Sequence, residues 1–268
     1  MSAFDFDRFD DWHPLLSAEL ADLLPQDIGQ RVQRKNPEFI EDAGDFVLGR
    51  GDREAIRTRV ADWLKSDAVY GYHGTRLTVA ERDAILDEGL KPLVAADRSA
   101  RLERALCRHP RWAEVAHRVD EAIELYGAKQ RAGRREGQVH LTVSRAGLTR
   151  GFNHYIKQGS EFDWHSAAYV LGGEGQALIA ADGDPYLIKL KVPGDIAFEA
   201  YNPYGFSRED GPNLVREVID VWSYRFVDPG YSSVRRRLDC GMIFYETVPA
   251  AWIEAVELLN VQEFDGPS

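Results

Sequence analysis

Three ionisable side chains interrupt strands that the sequence predicts. His73 and His140 each lie on a predicted strand beside small or polar residues, and Glu217 interrupts an otherwise apolar strand face. A half-buried carboxylate is costly unless something compensates its charge. Such a group can stabilise a developing positive charge, as in cleavage of a glycosidic bond through an oxocarbenium-like state. An ion pair with Arg216 or Arg225, an exposed strand edge, and hydrogen-bonded structural histidines are the alternatives.

The element that would position His73 is a strand followed by a polar turn and a helix. Residues 68–72 form a short apolar strand, and the turn after it carries His73 and Gly74. Thr78 and Glu81 have the spacing of a capping box, in which a hydroxyl and a carboxylate satisfy backbone N–H groups at a helix start. The sequence therefore predicts that His73 and the Gly74 backbone face a binding site at the mouth of the strand.

The remaining pattern predicts an α+β fold. Several strands are interrupted by short helices without regular βαβ alternation, which favours a mainly antiparallel or mixed sheet. The predicted elements are helices within 1–66, including one from about Arg53 to Lys65, a helix from Pro110 to Gly127, a strand at 139–143, a helix at 163–171, a strand at 186–192, a long strand or bent pair of strands at 214–226, a strand at 241–247, and a last helix opened by Pro249.

Composition indicates a soluble globular protein, with 44% hydrophobic and 29% charged residues. No apolar run approaches the roughly 20 residues of a membrane helix. The N-terminus has no secretory signal pattern, so we expect a cytoplasmic protein without a membrane partner. Two cysteines, Cys107 and Cys240, fit a reducing compartment.

The net charge of −11 argues against broad binding to nucleic acid. Two basic runs, residues 129–135 and 235–237, still permit a local contact with phosphate or nucleic acid. The spacing of Cys107, His109 and His117 matches no usual zinc pattern, so we expect no metal.

Several short motifs, in their order and spacing, resemble those of the ADP-ribosyltransferase superfamily, which includes poly(ADP-ribose) polymerases, diphtheria-type toxins and RNA 2′-phosphotransferases. The resemblance covers about residues 67–260. The motifs are Tyr72-His73-Gly74-Thr75, Ile85 with Glu88-Gly89-Leu90, Val139-His140-Leu141-Thr142, His165-Ser166-Ala167-Ala168-Tyr169, Glu217, and Val248-Pro249-Ala250-Ala251-Trp252-Ile253. The motif Val139-His140-Leu141-Thr142 is similar to the second-strand motif of the RNA 2′-phosphotransferases.

The resemblance implies a split β-sheet core. It places an N-terminal helical region at 1–66 and a catalytic domain at 67–268, with a helical insertion at about 97–128. NAD would be the substrate. His73 in the His-Gly-Thr turn would bind the adenine-side ribose, and the Gly74 backbone, followed by Thr75, would hold the nicotinamide carboxamide. Ser166 would bind the same amide, and Tyr169 would stack on the nicotinamide ring.

The resemblance also implies the catalytic groups. Glu217 would hold the nicotinamide-side ribose and stabilise the oxocarbenium, and His140 would line the nicotinamide pocket where polymerases usually carry tyrosine. Arg76 would face the pyrophosphate, an inference from its charge and place. Val215 stands where the arginine-modifying transferases carry an acid, which argues against a guanidinium acceptor.

The implied activity is that of an NAD-dependent mono-ADP-ribosyltransferase acting on a macromolecular acceptor, protein or nucleic acid. By analogy it would be a bacterial toxin or anti-phage effector with an antitoxin or regulatory partner. Three alternatives stay open: an RNA 2′-phosphotransferase, a family that relies on arginines and lacks the third-motif glutamate; a non-catalytic NAD or ADP-ribose binding module; and an unrelated α+β domain.

Overall fold

The computed structural model describes residues 3–126, 136–201, 214–236, 238 and 241–260. The helices are α1 Phe9–Glu19, α2 Ile28–Lys35, α3 Ile40–Leu48, α4 Arg53–Lys65, α5 Val79–Glu88, α6 Ala95–Leu106, α7 Trp112–Val115, α8 Arg118–Tyr126, α9 His154–Gln158, α10 Glu161–Leu171, α11 Gly173–Ala180, α12 Gly194–Ala200 and α13 Leu214–Tyr224. The strands are β1 Ala68–Leu77, β2 Val139–Leu141, β3 Asp184–Pro193, β4 Met242–Phe244 and β5 Ile253–Leu258.

Within the described ranges the strands form two small sheets, and the mixed α and β fold class is confirmed. One sheet has three strands in the order β1-β3-β5, and β2 pairs with β4 in the other. β5 runs antiparallel to β3, with Leu258 opposite Tyr186. Gly183, which precedes β3, lies against the backbone of Leu77 at the end of β1. β3 therefore starts beside the end of β1 and runs back along it.

The chain divides into two compact units. Unit 1 comprises residues 1–71, 141–147 and 191–243, and unit 2 comprises residues 72–140, 148–190 and 244–268. The predicted domain division between residues 66 and 67 stays a prediction.

Unit 1 is largely helical, and α13 packs against α3 and α4. The predicted helix at 53–65 is confirmed: Asp52 caps it by accepting hydrogen bonds from the N–H groups of Glu54 at 3.0 Å and Ala55 at 3.1 Å. Apolar residues spaced four apart are buried along this helix, because its inner face contributes to the core: Ile56, Val60 and Leu64.

The prediction of a strand at 214–226 is wrong, because Leu214–Tyr224 is the helix α13. Nine of its eleven residues are buried. The alternating residues Val215, Ile219 and Val221 favour a strand, but the polar residues Arg216, Glu217, Asp220 and Ser223 repeat at helical spacing, which is the pattern that the fold follows. The ion pair between Arg216 and Asp220, at 2.7 Å and four residues apart, is one that a helix permits.

Unit 2 contains a helical core formed by α6, α8, α10 and α11. Its buried apolar side chains include Leu102, Leu106, Val119, Val170 and Ile179. The predicted helix at 163–171 is confirmed within α10. The helix predicted from Pro110 to Gly127 is instead divided into α7 and α8.

The capping box predicted at the start of α5 is confirmed. Thr78 accepts a hydrogen bond from the Glu81 N–H, and the Glu81 carboxylate accepts one from the Thr78 N–H at 2.8 Å. Gly89 ends the helix at φ +88°, a conformation that favours glycine. The polar turn predicted at 73–76 is wrong, however, because β1 continues without a break to Leu77.

The helix predicted from Pro249 is also wrong. A short 3₁₀ turn, Ala250–Trp252, leads into the strand β5. Glu, Ala and Leu residues in this segment favour a helix by propensity, but pairing with β3 decides its conformation.

No helix in the described ranges is both long enough and apolar enough to span a membrane. The basic run at 129–135, Arg237 and Cys240 lie outside the described residues.

Candidate functional site

The site begins at the edge of β1 that faces away from β3. In a strand, the N–H and C=O of one residue point to the same edge, and successive residues alternate between the edges. Tyr70 donates its N–H to the Phe4 carbonyl at 2.8 Å, and the Ala68 carbonyl accepts from the Phe4 N–H at 2.7 Å. Phe4 and β3 occupy opposite edges of β1, so the even-numbered residues direct their peptide groups away from β3.

Gly74 follows the same alternation. The carbonyl of Arg76, two residues later, accepts a hydrogen bond from Arg101 Nη2 at 3.1 Å and not from a neighbouring strand. The Gly74 N–H and C=O therefore point to the free edge of β1, where no backbone group of the described residues binds them. This edge offers one donor and one acceptor side by side.

Glycine at position 74 has a packing reason as well. A Cβ there would lie 2.8 Å from Ile156 Cγ1 and 3.5 Å from Leu148 Cδ2. The first distance is closer than real Cβ atoms approach another atom, so a larger residue would push Ile156 aside. The segment from Leu148 to Ile156 therefore lies against this face of β1.

His73 is half-buried beside Gly74, with its side chain on the opposite face of the strand. Its Nδ1 lies 2.9 Å from the carbonyl oxygen of His140 on β2. A carbonyl only accepts, so Nδ1 carries the proton. Burial lowers the pKa of His73, which favours the neutral ring. Its Nε2 is then a hydrogen-bond acceptor.

His140 is oriented by a residue that the sequence did not single out. Its Nε2 lies 2.9 Å from Oε1 of Gln138, so Nε2 donates to the amide oxygen. The two histidines predicted for the site are therefore brought together, through the backbone of one and the ring of the other. Thr75 lies on the same face of β1 as His73 and is half-buried.

The Arg76 side chain is held by backbone carbonyls. Its guanidinium donates to Gly183 at 2.6 Å, to Lys157 at 3.4 Å and to Ile156 at 3.5 Å. These contacts tie β1 to the end of α9 and to the turn before β3. The role facing a pyrophosphate, which the sequence suggested for Arg76, stays a prediction, and the observed role is structural.

Ser166 and Tyr169 lie on α10. Ser166 is fully buried, and its Oγ has no hydrogen-bond partner among the described residues. Tyr169 donates its hydroxyl to Glu121 at 3.0 Å, and the Arg118 guanidinium lies 4.7 Å from the centre of its ring. One face of the Tyr169 ring is thus occupied, and stacking on a ligand would be limited to the other face.

Glu217 belongs to unit 1 and lies on α13, so the argument that placed it on an apolar strand face is wrong. Its carboxylate accepts from Arg236 Nε at 2.8 Å and from Nη2 at 3.4 Å. Arg236 also binds Glu41 at 2.8 Å, and these carboxylates raise the pKa of the guanidinium. The structural ion pair left open by the sequence is therefore observed, with Arg236 in place of Arg216 or Arg225.

Sequence reasoning missed the polar groups behind β1. Arg98 and Arg101 on α6 face Asp163 on α10, and all three are largely buried. The spacing of arginines three residues apart on a predicted helix was the available signal. Their acidic partner is about 60 residues away in the chain, and only the tertiary fold identifies it.

Among the described residues, no group of three or more His, Cys, Asp or Glu side chains is placed to hold a metal ion. No protein-family model, curated protein or solved structure matches the chain. The resemblance to the ADP-ribosyltransferases therefore stays a prediction, and the function is argued from the geometry of β1.

Proposed function

We propose that the chain is an NAD-dependent mono-ADP-ribosyltransferase that binds the nicotinamide end of NAD at the free edge of β1. One observation carries the proposal: the unpaired N–H and C=O of Gly74 lie on this edge, next to a neutral His73. The two small sheets and the antiparallel β1-β3-β5 order are compatible with the split-sheet core that the resemblance implies.

A carboxamide is complementary to this edge. It carries an acceptor oxygen and a donor NH₂ on one carbon, and Gly74 offers a donor and an acceptor on one residue. Two parallel hydrogen bonds would fix the ring plane as well as its position, in the manner of an added strand. His73 Nε2 can accept a hydrogen bond from a ribose hydroxyl, because the Nδ1 proton is committed to His140.

In the proposed reaction the bond between nicotinamide and ribose breaks, and nicotinamide leaves with the bonding electrons. A nucleophile on a protein or nucleic-acid acceptor then bonds to the anomeric carbon. Ser166, with its unpaired hydroxyl, and Tyr169 stay in the proposal as contacts of the nicotinamide. Glu217 is assigned the structural ion pair with Arg236.

A second candidate, the RNA 2′-phosphotransferase, gains from the same structure. Glu217 on a strand was one argument against that family, and α13 removes it. The other argument is the net charge of −11, since that family tends to be basic, and it still applies. The motif around His140 is also similar to that family's second-strand motif. Both candidates transfer ADP-ribose from NAD, so they differ in the acceptor. Turnover of NAD that requires a 2′-phosphorylated RNA would favour the second.

The test is a titration of the protein with NAD, combined with measurement of free nicotinamide. We expect His73→Ala to weaken NAD binding by about 5- to 30-fold, because one hydrogen bond to the ribose is worth roughly 1–2 kcal/mol. His117→Ala, an exposed histidine of the same unit, is the matched control and should leave the affinity unchanged. Equal affinities of the two variants would refute the site. NAD binding without release of nicotinamide would instead support a non-catalytic NAD-binding module.

A further inference from the structure

Arg98, Arg101 and Asp163 form a buried charge cluster in unit 2. Arg98 is 2% exposed and Asp163 is 1% exposed. The Arg98 guanidinium lies 3.9 Å from the centre of the Phe162 ring, which precedes Asp163 on α10. Arg101 Nη1 lies 3.5 Å from Asp163 Oδ2. Two guanidinium groups therefore face one carboxylate in the interior.

The position of the Asp163 carboxylate beside Arg101 and Arg98 has an electrostatic explanation. A buried carboxylate without a partner is strongly disfavoured, and neither oxygen of Asp163 accepts a hydrogen bond in the described part of the chain. Burial raises the pKa of Asp163, and the positive charges of Arg101 and then Arg98 oppose that rise. The carboxylate in turn attracts the Arg101 guanidinium and so restricts its orientation.

The other end of the Arg101 guanidinium reaches β1. Nη2 donates to the Arg76 carbonyl at 3.1 Å. Gly159, at φ +79°, covers this contact, since a Cβ at that position would lie 3.5 Å from the same nitrogen. Arg101 is thus held by Asp163 on one side and by the strand on the other.

The Arg76 carbonyl and the Gly74 peptide groups share the free edge of β1. Two residues of an extended strand span about 7 Å. A hydrogen bond to the Arg76 carbonyl therefore fixes the strand one repeat away from the groups that would bind a carboxamide. The Arg76 side chain, which binds the carbonyls of Ile156, Lys157 and Gly183, fixes the same residue from the other direction.

We propose that Arg101, oriented by Asp163, is a positioning residue that holds the free edge of β1 in the geometry that recognises a carboxamide. The inference rests on the proposed function and deepens it. Arg101 acts through the backbone of Arg76 and does not itself touch the carboxamide. Replacing Arg101 should therefore weaken the discrimination between a carboxamide and similar ligands. A strand that moves by a fraction of an ångström loses the alignment of the two hydrogen bonds from Gly74.

The test compares two ligands of the same shape, nicotinamide and nicotinic acid. The ratio of their dissociation constants is measured for the full chain and for Arg101→Ala, Arg101→Lys and Asp163→Asn. We expect Arg101→Ala to reduce the ratio at least threefold, and Arg101→Lys to retain most of it, since an ammonium group can still donate to the Arg76 carbonyl. Arg82→Ala, which removes an arginine paired with the neighbouring Asp83, is the control with an unchanged ratio.

A loss of stability alone would leave the ratio intact, so an unchanged ratio in Arg101→Ala overturns the inference. If that variant does not fold, Asp163→Asn decides: a ratio at least twofold lower supports the inference, and an unchanged ratio overturns it. A wild-type protein that binds neither ligand refutes the proposed function and this inference together. If the wild type discriminates between the two ligands and the variants discriminate equally well, the inference about Arg101 is refuted but the proposed function is not.

Discussion

Replacing Glu217 by Gln separates a structural carboxylate from a catalytic one. The substitution keeps the size of the side chain and removes its charge, so Arg236 keeps one acceptor oxygen and loses the other together with the negative charge. Neutralising one member of a fully buried ion pair costs about 3–5 kcal/mol. Arg236 is 25% exposed and retains Glu41 at 2.8 Å, so solvent and the second carboxylate offset part of that cost. We expect a loss of about 2 kcal/mol in the free energy of unfolding.

Urea unfolding measures this loss, and a double-mutant cycle with Arg236→Gln isolates the pair. We expect a coupling energy of about 1–2 kcal/mol, because each single variant already removes the interaction. NAD turnover is then measured at a temperature where every variant is folded. Our reasoning predicts turnover per folded molecule within about threefold of the wild type. A fall of a hundredfold or more with unchanged stability would refute it and restore the catalytic role predicted from the sequence.

Two further predictions concern packing and charge. Burial raises the pKa of Asp220 from 3.8 to about 7, with Glu217 and Glu41 adding to the effect against the Arg216 hydrogen bonds. The folded state then holds the Asp220 proton more tightly than the unfolded chain, so this contribution is complete below about pH 4 and is lost as the pH rises through 7. At 1.36 kcal/mol per pH unit, it amounts to at most about 4 kcal/mol. Asp220→Asn should remove that slope, and parallel stability curves for variant and wild type would contradict the assignment. Gly74→Ala should cost about 1–3 kcal/mol, because its Cβ would lie 2.8 Å from Ile156 Cγ1. Combined with Ile156→Ala it should cost less than the sum of the two single changes, and strict additivity in urea unfolding would argue against the contact.

Local chemistry could be predicted from the sequence where the residues that decide it are close in the chain. The capping box of Thr78 and Glu81 is an example, since both partners lie within one turn. The helix at 53–65 is another, because its buried residues repeat at helical spacing. His73 and Gly74 are adjacent in the chain, so the sequence alone already identified this part of β1 as a candidate site.

Tertiary context decided the elements that were predicted wrongly. α13 is buried on nearly all sides because other helices pack around it, so even its polar residues Glu217 and Asp220 are buried. Those polar residues, with Arg216 and Ser223, do repeat at helical spacing, but the alternation of apolar residues favours a strand instead. Residues 253–258 form a strand because β3 provides hydrogen bonds that helix propensity does not offer. The Arg236 partner of Glu217 and the Asp163 partner of Arg101 are 19 and 62 residues away in sequence, and no local pattern pairs them.

The central claim is that the Gly74 peptide edge recognises a carboxamide. Nicotinamide can donate its NH₂ to the Gly74 carbonyl, whereas nicotinic acid presents a carboxylate oxygen at that position and repels it. Losing one hydrogen bond and leaving the carbonyl unpaired costs about 1.5–3 kcal/mol. Calorimetric titration should therefore show nicotinamide binding about 10- to 100-fold more tightly than nicotinic acid. Equal affinities, or tighter binding of nicotinic acid, would contradict the claim.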